Sequence, residues 1–286
     1  MSDLIFIDSR LIPLSKARFS PLNTALFFGE CLLETIPVYQ GKPLFFKEHL
    51  DRLERGCRFL GWPIIPRERF KKAIQLYAIQ PNVPRHFAIR FSLAQEVDPP
   101  ANPRQFSVKS PRLLGVIRPL RNDPGNFDPL QGRVGISSWV VPGSSSVPGE
   151  FKWIFYMMIR RDFRRNPEWD EMLRLDEEGF VVDGGSSSPL WFAYGTVWAP
   201  PLAGGGLESV TRIKILDLCR RLKVNVVEKK WKPSDVMKRG ELFFTGSGIG
   251  IMGTTYLQGS SLKQPAPFTL RLWQHYRNWT GKSASF

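Results

Sequence analysis

A lysine at the head of an apolar run is the first residue here with chemical content. Lys152 stands in Phe151-Lys152-Trp153-Ile154-Phe155-Tyr156, after a loop rich in Gly, Ser and Pro (Val140 to Glu150). The run continues into Met157-Met158-Ile159-Arg160-Arg161, which predicts a helix opened at Lys152. Apolar neighbours oppose the charged form of an amine, lower its pKa and make it a nucleophile. Such an amine condenses with an aldehyde to a Schiff base. The plainer alternative is an exposed lysine at a helix start with arginines on the solvated face, because most lysines are exposed. What decides between them is the rest of the chain.

Three other segments suit an anion. Arg52 lies in the stretch Lys47 to Leu60, and a guanidinium binds phosphate through two parallel hydrogen bonds. Pairing with nearby Glu48 or Asp51 is the competing role. Ser209-Val210-Thr211-Arg212 reads as a helix start with Ser209 as N-cap. Unpaired N–H groups there, with a hydroxyl, form a natural phosphate site, although an ordinary capped helix has the same pattern. Thr245-Gly246-Ser247-Gly248-Ile249-Gly250 is a turn whose small residues let backbone N–H groups approach an anion, or simply reverse the chain.

The elements that must position these groups are legible as periodicity. Leu4-Ile5-Phe6-Ile7 reads as a strand with a turn at Asp8-Ser9-Arg10, and Cys31 to Tyr39 as a strand with period-two alternation, ended by Gln40-Gly41-Lys42-Pro43. Leu50, Leu53, Cys57 and Leu60 form one helical stripe over Lys47 to Leu60, and a second helix is expected from Pro66 to about Tyr77. His86 to Leu93 and Leu113 to Ile117 are strands, with the loop Pro99 to Pro103 between them. Further strands are expected at 134–139, 173–176, 179–183, 190–193, 197–201 and 241–244. The helix opened by Ser209 should bury Ile213, Leu216 and Leu218. Arg118 to Asp128, with two prolines and a glycine, reads as a linker. The division is therefore an N-terminal domain 1–118, a linker 119–128 and a C-terminal domain 129–286.

Composition narrows the class. An apolar content of 42% with 23% charged residues is that of an ordinary globular protein with a real core. No uncharged apolar run approaches the length of a membrane span, and Met1 to Arg10 lacks the pattern of a secretory leader. Cys31, Cys57 and Cys219 are odd in number and far apart, which suits reduced, buried thiols in the cytoplasm. The three histidines are not spaced with cysteine as metal ligands, so no metal is expected. The net charge of +14 would attract anions. Its densest cluster is only Arg160, Arg161, Arg164 and Arg165, with no nucleic-acid motif, so no nucleic-acid partner is expected.

In their order, these segments resemble the class IV aminotransferases, the fold-type IV pyridoxal-phosphate enzymes. That group includes branched-chain and D-amino acid aminotransferases and 4-amino-4-deoxychorismate lyases. The similarity runs from about Leu4 to Gln258. Its carriers are Phe28-Gly29-Glu30 to Tyr39, Glu48-His49-Leu50-Asp51-Arg52-Leu53, the Lys152 segment, Asp176 to Ser188, and Val210-Thr211-Arg212. The resemblance implies two α/β (α+β) domains, the larger C-terminal one with a barrel-like sheet, in a cytoplasmic homodimer. It implies pyridoxal 5'-phosphate as cofactor and Lys152 as the Schiff-base lysine. Arg52, Val210, Thr211, Ser247 and Gly248 match phosphate-binding positions, and Tyr156 one beside the cofactor. Asp183 falls where the family has a glutamate facing the pyridine nitrogen; a carboxylate there keeps the ring an electron sink. Ser188, in the run Ser186-Ser187-Ser188, replaces the family's asparagine. Phe155 and Gln95-Glu96 are further departures, Gln95 standing near an expected substrate-binding arginine.

The function so implied is amino transfer between a branched-chain-like amino acid and a 2-keto acid. The rival is a lyase that releases pyruvate and 4-aminobenzoate from aminodeoxychorismate; the length, Thr35 and the lack of an arginine at Gln95 suit it. A third reading is a non-catalytic relative that binds an anion or a partner.

Overall fold

The computed structural model describes residues 3–96, 110–120, 131–141, 149–152, 156–262 and 266–281. These fall into two compact units: the described residues up to 120 with 150–152 and 281, and those of 131–141, 149, 156–262 and 266–280. Most of the expected linker, 121–128, and the loop 99–103 lie outside the described residues.

In the first unit, β1 (Leu4–Ile7) turns at Asp8 into β2 (Arg10–Pro13), a hairpin partner the alternation did not reveal. A short helix α1 (Thr24–Phe28) is capped by the Asn23 side chain and closed by Gly29 in the left-handed region, φ 67°. Then come β3 (Leu32–Tyr39), β4 (Lys42–Pro43), α2 (Phe46–Phe59), α3 (Arg67–Ala78), β5 (His86–Ala94) and β6 (Arg112–Pro119). They build a six-stranded sheet in the order β2-β1-β6-β5-β3-β4. β3 runs antiparallel to β5 along its full length, Leu32 opposite Leu93 and Tyr39 opposite His86. Alternation sends Leu32, Ile36 and Val38 into one core with Leu50, Leu53 and Cys57 of α2 and Phe70, Ile74 and Tyr77 of α3. The Tyr77 hydroxyl donates to the carbonyls of Leu4 and Gly115, joining helix and sheet.

The second unit has β7 (Gly132–Ile136), α4 (Met157–Arg165), β8 (Glu171–Leu175), β9 (Val181–Gly184), β10 (Ser188–Ala193) and β11 (Thr196–Ala199). It continues with α5 (Val210–Arg221), β12 (Asn225–Glu228), α6 (Pro233–Lys238), β13 (Glu241–Gly246), β14 (Gly250–Leu257), β15 (Ser260–Ser261) and α7 (Pro267–Gly281). The strands form one mixed sheet in the order β12-β11-β10-β13-β14-β7-β8-β9, with β15 on β14. β9 ends that order, yet a tight turn joins it to β10 near the other end, so the sheet curls back on itself. Trp191, Trp231, Leu242, Phe244 and Met252 fill its core.

Two expectations are corrected. The helix after Lys152 begins at Met157, not at Lys152 itself. On α5 the buried residues include Ile215, Leu216, Leu218 and Cys219, whereas Ile213 is exposed.

Candidate functional site

Lys152 belongs to the first unit, and a strand holds it there: the Leu33 N–H donates to its carbonyl at 2.8 Å. The next residue on that strand, Glu34, shares the inward face with Leu32 and Ile36 and is fully buried. A carboxylate there needs partners, and α2 supplies two from successive turns of its buried stripe. Glu34 Oε1 accepts from Arg52 Nε at 2.6 Å, and Oε2 accepts from Arg52 Nη2 at 2.8 Å and from His49 Nδ1 at 2.7 Å. Burial alone would raise the Glu34 pKa; the charge of Arg52 and the His49 bond outweigh it and hold it at about 2. For His49, burial dominates and, with the positive charges of Arg52 and Lys152, holds its pKa below the ordinary value against the pull of Glu34. Lys152, His49, Arg52 and Glu34 thus form one electrostatic neighbourhood. Arg52 pairs with Glu34 on the strand, a partner that sequence proximity does not suggest, and Asp51 is taken by Lys47 and Arg67.

The second unit gathers the other candidates. Asp183, on β9, is buried, and its Oδ2 accepts from the Leu207 N–H at 3.0 Å while Oδ1 accepts from Gly184 N–H at 2.9 Å. Burial raises its pKa, and the charges of Arg174 and Arg212 and these two N–H groups offset it only in part. Leu207 lies on the loop that leads to α5. At the start of that helix Ser209 accepts from the Arg212 N–H, as an N-cap does. First-turn N–H groups such as those of Val210 and Thr211 have no acceptor within the helix. The Thr211 hydroxyl lies 3.3 Å from the Ser247 hydroxyl, which sits with Gly248 in the turn between β13 and β14. Ser188 pairs with Thr245, two positions before Ser247. Tyr156 stands at the N-cap of α4. Gln95 is buried, and its backbone N–H and carbonyl pair with the Thr24 hydroxyl and N–H.

Each unit thus assembles its own share: Lys152 and Arg52 in the first, Asp183, Ser188, Val210, Thr211, Ser247 and Gly248 in the second. Sequence reasoning missed Glu34 and His49, although a carboxylate at an inward strand position was a usable signal. It also missed Glu171, a buried carboxylate at the start of β8, for which no local pattern gave warning.

The chain matches the model of the family described as amino-transferase class IV over residues 31–255, and it belongs to that family. It is 24% identical over 283 residues to a putative branched-chain-amino-acid aminotransferase of Methanocaldococcus jannaschii, covering 96% of this chain and 95% of the relative. It is 22% identical over 259 residues to an aminodeoxychorismate lyase of Bacillus subtilis, covering 89% and 87%. Its fold is that of the branched-chain amino acid aminotransferase of Thermobaculum terrenum, solved in its PLP form. The TM-score there is 0.80 at 19% identity, with 99% of this chain and 95% of that one covered. The fold class expected from the resemblance, two α/β parts with a curled sheet in the second, is the one observed.

Proposed function

We propose that this chain is a pyridoxal-phosphate-dependent aminotransferase that moves an amino group between a branched-chain-like amino acid and a 2-keto acid, with Lys152 as the reactive amine. The observation that carries this reading is the 3.3 Å approach of Thr211 to Ser247 at the start of α5, on the loop whose Leu207 bonds Asp183. That set suits the cofactor's two polar ends. Two hydroxyls and a helix N-terminus favour a phosphate. The buried Asp183 carboxylate accepts from the Gly184 and Leu207 N–H groups, and the charges of Arg174 and Arg212 offset its burial only in part, so a protonated ring nitrogen would add a cation bonded to it directly.

Bound pyridoxal phosphate would supply the carbonyl for Schiff-base formation and the ring that accepts the charge left by a departing proton. Lys152 would take the proton from the substrate α-carbon and return it. Val210, Thr211, Ser247 and Gly248 would hold the phosphate, with Arg52 as a further cation oriented by Glu34. Asp183 would hold the proton on the ring nitrogen, and Ser188 and Tyr156 would flank the ring. A homodimer is part of this reading: Leu26, Phe27 and Phe28 on α1 are all exposed, apolar surface that a second copy would cover. A cytoplasmic setting accords with three buried thiols, their pKa values raised by burial.

The lyase reading has one observation of its own: Thr35, next to Glu34, is a buried hydroxyl on β3, and a relative named as a lyase aligns over most of the chain. A coupled assay separates the two. Keto-acid-dependent loss of the amino group from leucine, isoleucine or valine is expected. Pyruvate released from aminodeoxychorismate without an amino acceptor, and no transfer, would replace the aminotransferase by the lyase.

A further inference from the structure

Glu171 has no part in the chemistry above, and its surroundings are unusual. It is 1% exposed at the start of β8. Oε1 accepts from the N–H groups of Met172 (3.0 Å), Gly185 (2.9 Å) and Ser186 (3.1 Å). Oε2 accepts from the Ser186 N–H (3.2 Å), the Ser186 hydroxyl (2.8 Å) and the Ser187 hydroxyl. No cation bonds it among the described residues. Excluding a carboxylate from water without a counter-charge costs several kcal/mol, roughly, and neutral donors recover only part of that. An apolar residue would avoid the cost, so the donors around Glu171 call for an explanation.

They all come from one turn and from the strand beside it. Gly185 to Ser187 is the turn between β9, which ends at Gly184, and β10, so it lies between Asp183 and Ser188. The turn is wound closely about the carboxylate. A Cβ on Gly185 would stand 2.8 Å from Glu171 Oε1, and one on Gly184 2.0 Å from the Ser187 carbonyl oxygen. At Gly184 the clash is with backbone and only glycine fits, and at Gly185 a side chain would push the Glu171 carboxylate out of its place. The chain's Asp-Gly-Gly-Ser-Ser-Ser run is thereby accounted for: two glycines for the approach and two serines as donors.

We propose that Glu171 is a positioning residue. It fixes the Gly185–Ser187 turn at the end of β9 and so aims the Asp183 carboxylate at the cofactor ring nitrogen. The proposal rests on the reading of Asp183 given above. It also separates two ends of one site, since Thr211 and Ser247, assigned above to the phosphate, donate no hydrogen bond to Glu171. Loss of Glu171 should weaken the hold on the ring and leave the hold on phosphate intact.

The test is ligand binding to the apoprotein, with pyridoxal 5'-phosphate and inorganic phosphate as separate probes, for the wild type, Glu171→Ala, Glu171→Gln and Ser187→Ala. Glutamine keeps the shape and one acceptor oxygen, and the serine hydroxyls turn to accept from its amide. Glu171→Ala should bind pyridoxal phosphate about 10- to 100-fold more weakly, with Glu171→Gln and Ser187→Ala in between. Inorganic phosphate should bind all four alike. Where Glu171→Ala does not fold, the two milder variants carry the same comparison. Unchanged affinity for pyridoxal phosphate in every folded variant overturns the proposal. So does an equal loss for both probes, which would mean a general structural role. A folded wild type that binds phosphate but not pyridoxal phosphate removes the functional reading, and this proposal with it.

Discussion

Glu34 and Glu171 are both excluded from water, one in each unit, and they titrate in opposite directions. Glu34 meets a guanidinium through two bonds and an imidazole through a third, and its pKa falls to about 2. Glu171 meets more donors, all of them neutral, and burial still raises its pKa above the ordinary value of 4.5. Counter-charge, rather than the number of hydrogen bonds, decides the sign. Each suits its surroundings. An ionised Glu34 orients the cationic Arg52 beside Lys152. Glu171 ties down a turn with no cation of its own.

Breaking the pair in the first unit should have the largest effect. Glu34→Ala leaves Arg52 buried without its counter-charge, and a stability loss of about 3–5 kcal/mol is expected by thermal or urea unfolding. A loss below about 1 kcal/mol would mean that water reaches the guanidinium, and that the contrast with Glu171 is false. Glu171→Ala should cost less, about 1–3 kcal/mol, because it strands neutral donors and no charge.

The pH dependence sharpens the contrast because the two signs differ. The folded pKa of Glu34 lies below the ordinary 4.5, so its contribution is complete above that value and is lost as pH falls toward about 2. The stability difference between wild type and Glu34→Gln should therefore shrink on acidification across that window. For Glu171 the folded pKa is raised, so its contribution is complete below 4.5 and is lost as pH rises through the raised value. The difference between wild type and Glu171→Gln should shrink as pH climbs. Parallel slopes for the two variants in urea unfolding at several pH values would contradict the pKa assignments. The smallest effect belongs to a position outside both networks: Ser209→Ala should cost about 1 kcal/mol, the ordinary loss of an N-cap.

What the sequence revealed follows from the range of the forces involved. The α2 stripe and the alternation of β3 are local periodicities, and both elements formed close to where they were expected. The Ser209 cap was legible because its acceptor lies within one helical turn. Long-range partners were not. Arg52 and Glu34 are 18 residues apart, while Glu48 and Asp51 stand nearer on the same helix and compete for attention. The apolar run past Lys152 predicts a helix start there. In the structure the Lys152 carbonyl is committed to Leu33, on a strand far earlier in the chain. Nothing near Glu171 marks it, because all its donors except the Met172 N–H come from Gly185, Ser186 and Ser187, more than a dozen residues on. In the same way, Thr211 and Ser247 were two separate anion candidates until α5 and the β13–β14 turn brought their hydroxyls together.

The most direct measurement is the visible absorption of the purified protein with added pyridoxal phosphate, for the wild type and Lys152→Ala, followed by borohydride and peptide mapping. A yellow Schiff-base band in the wild type, absent from the variant and reduced to a label on Lys152, is the expected result. A folded wild type that develops no band, or a label on another lysine, would contradict the assignment of Lys152 as the reactive amine.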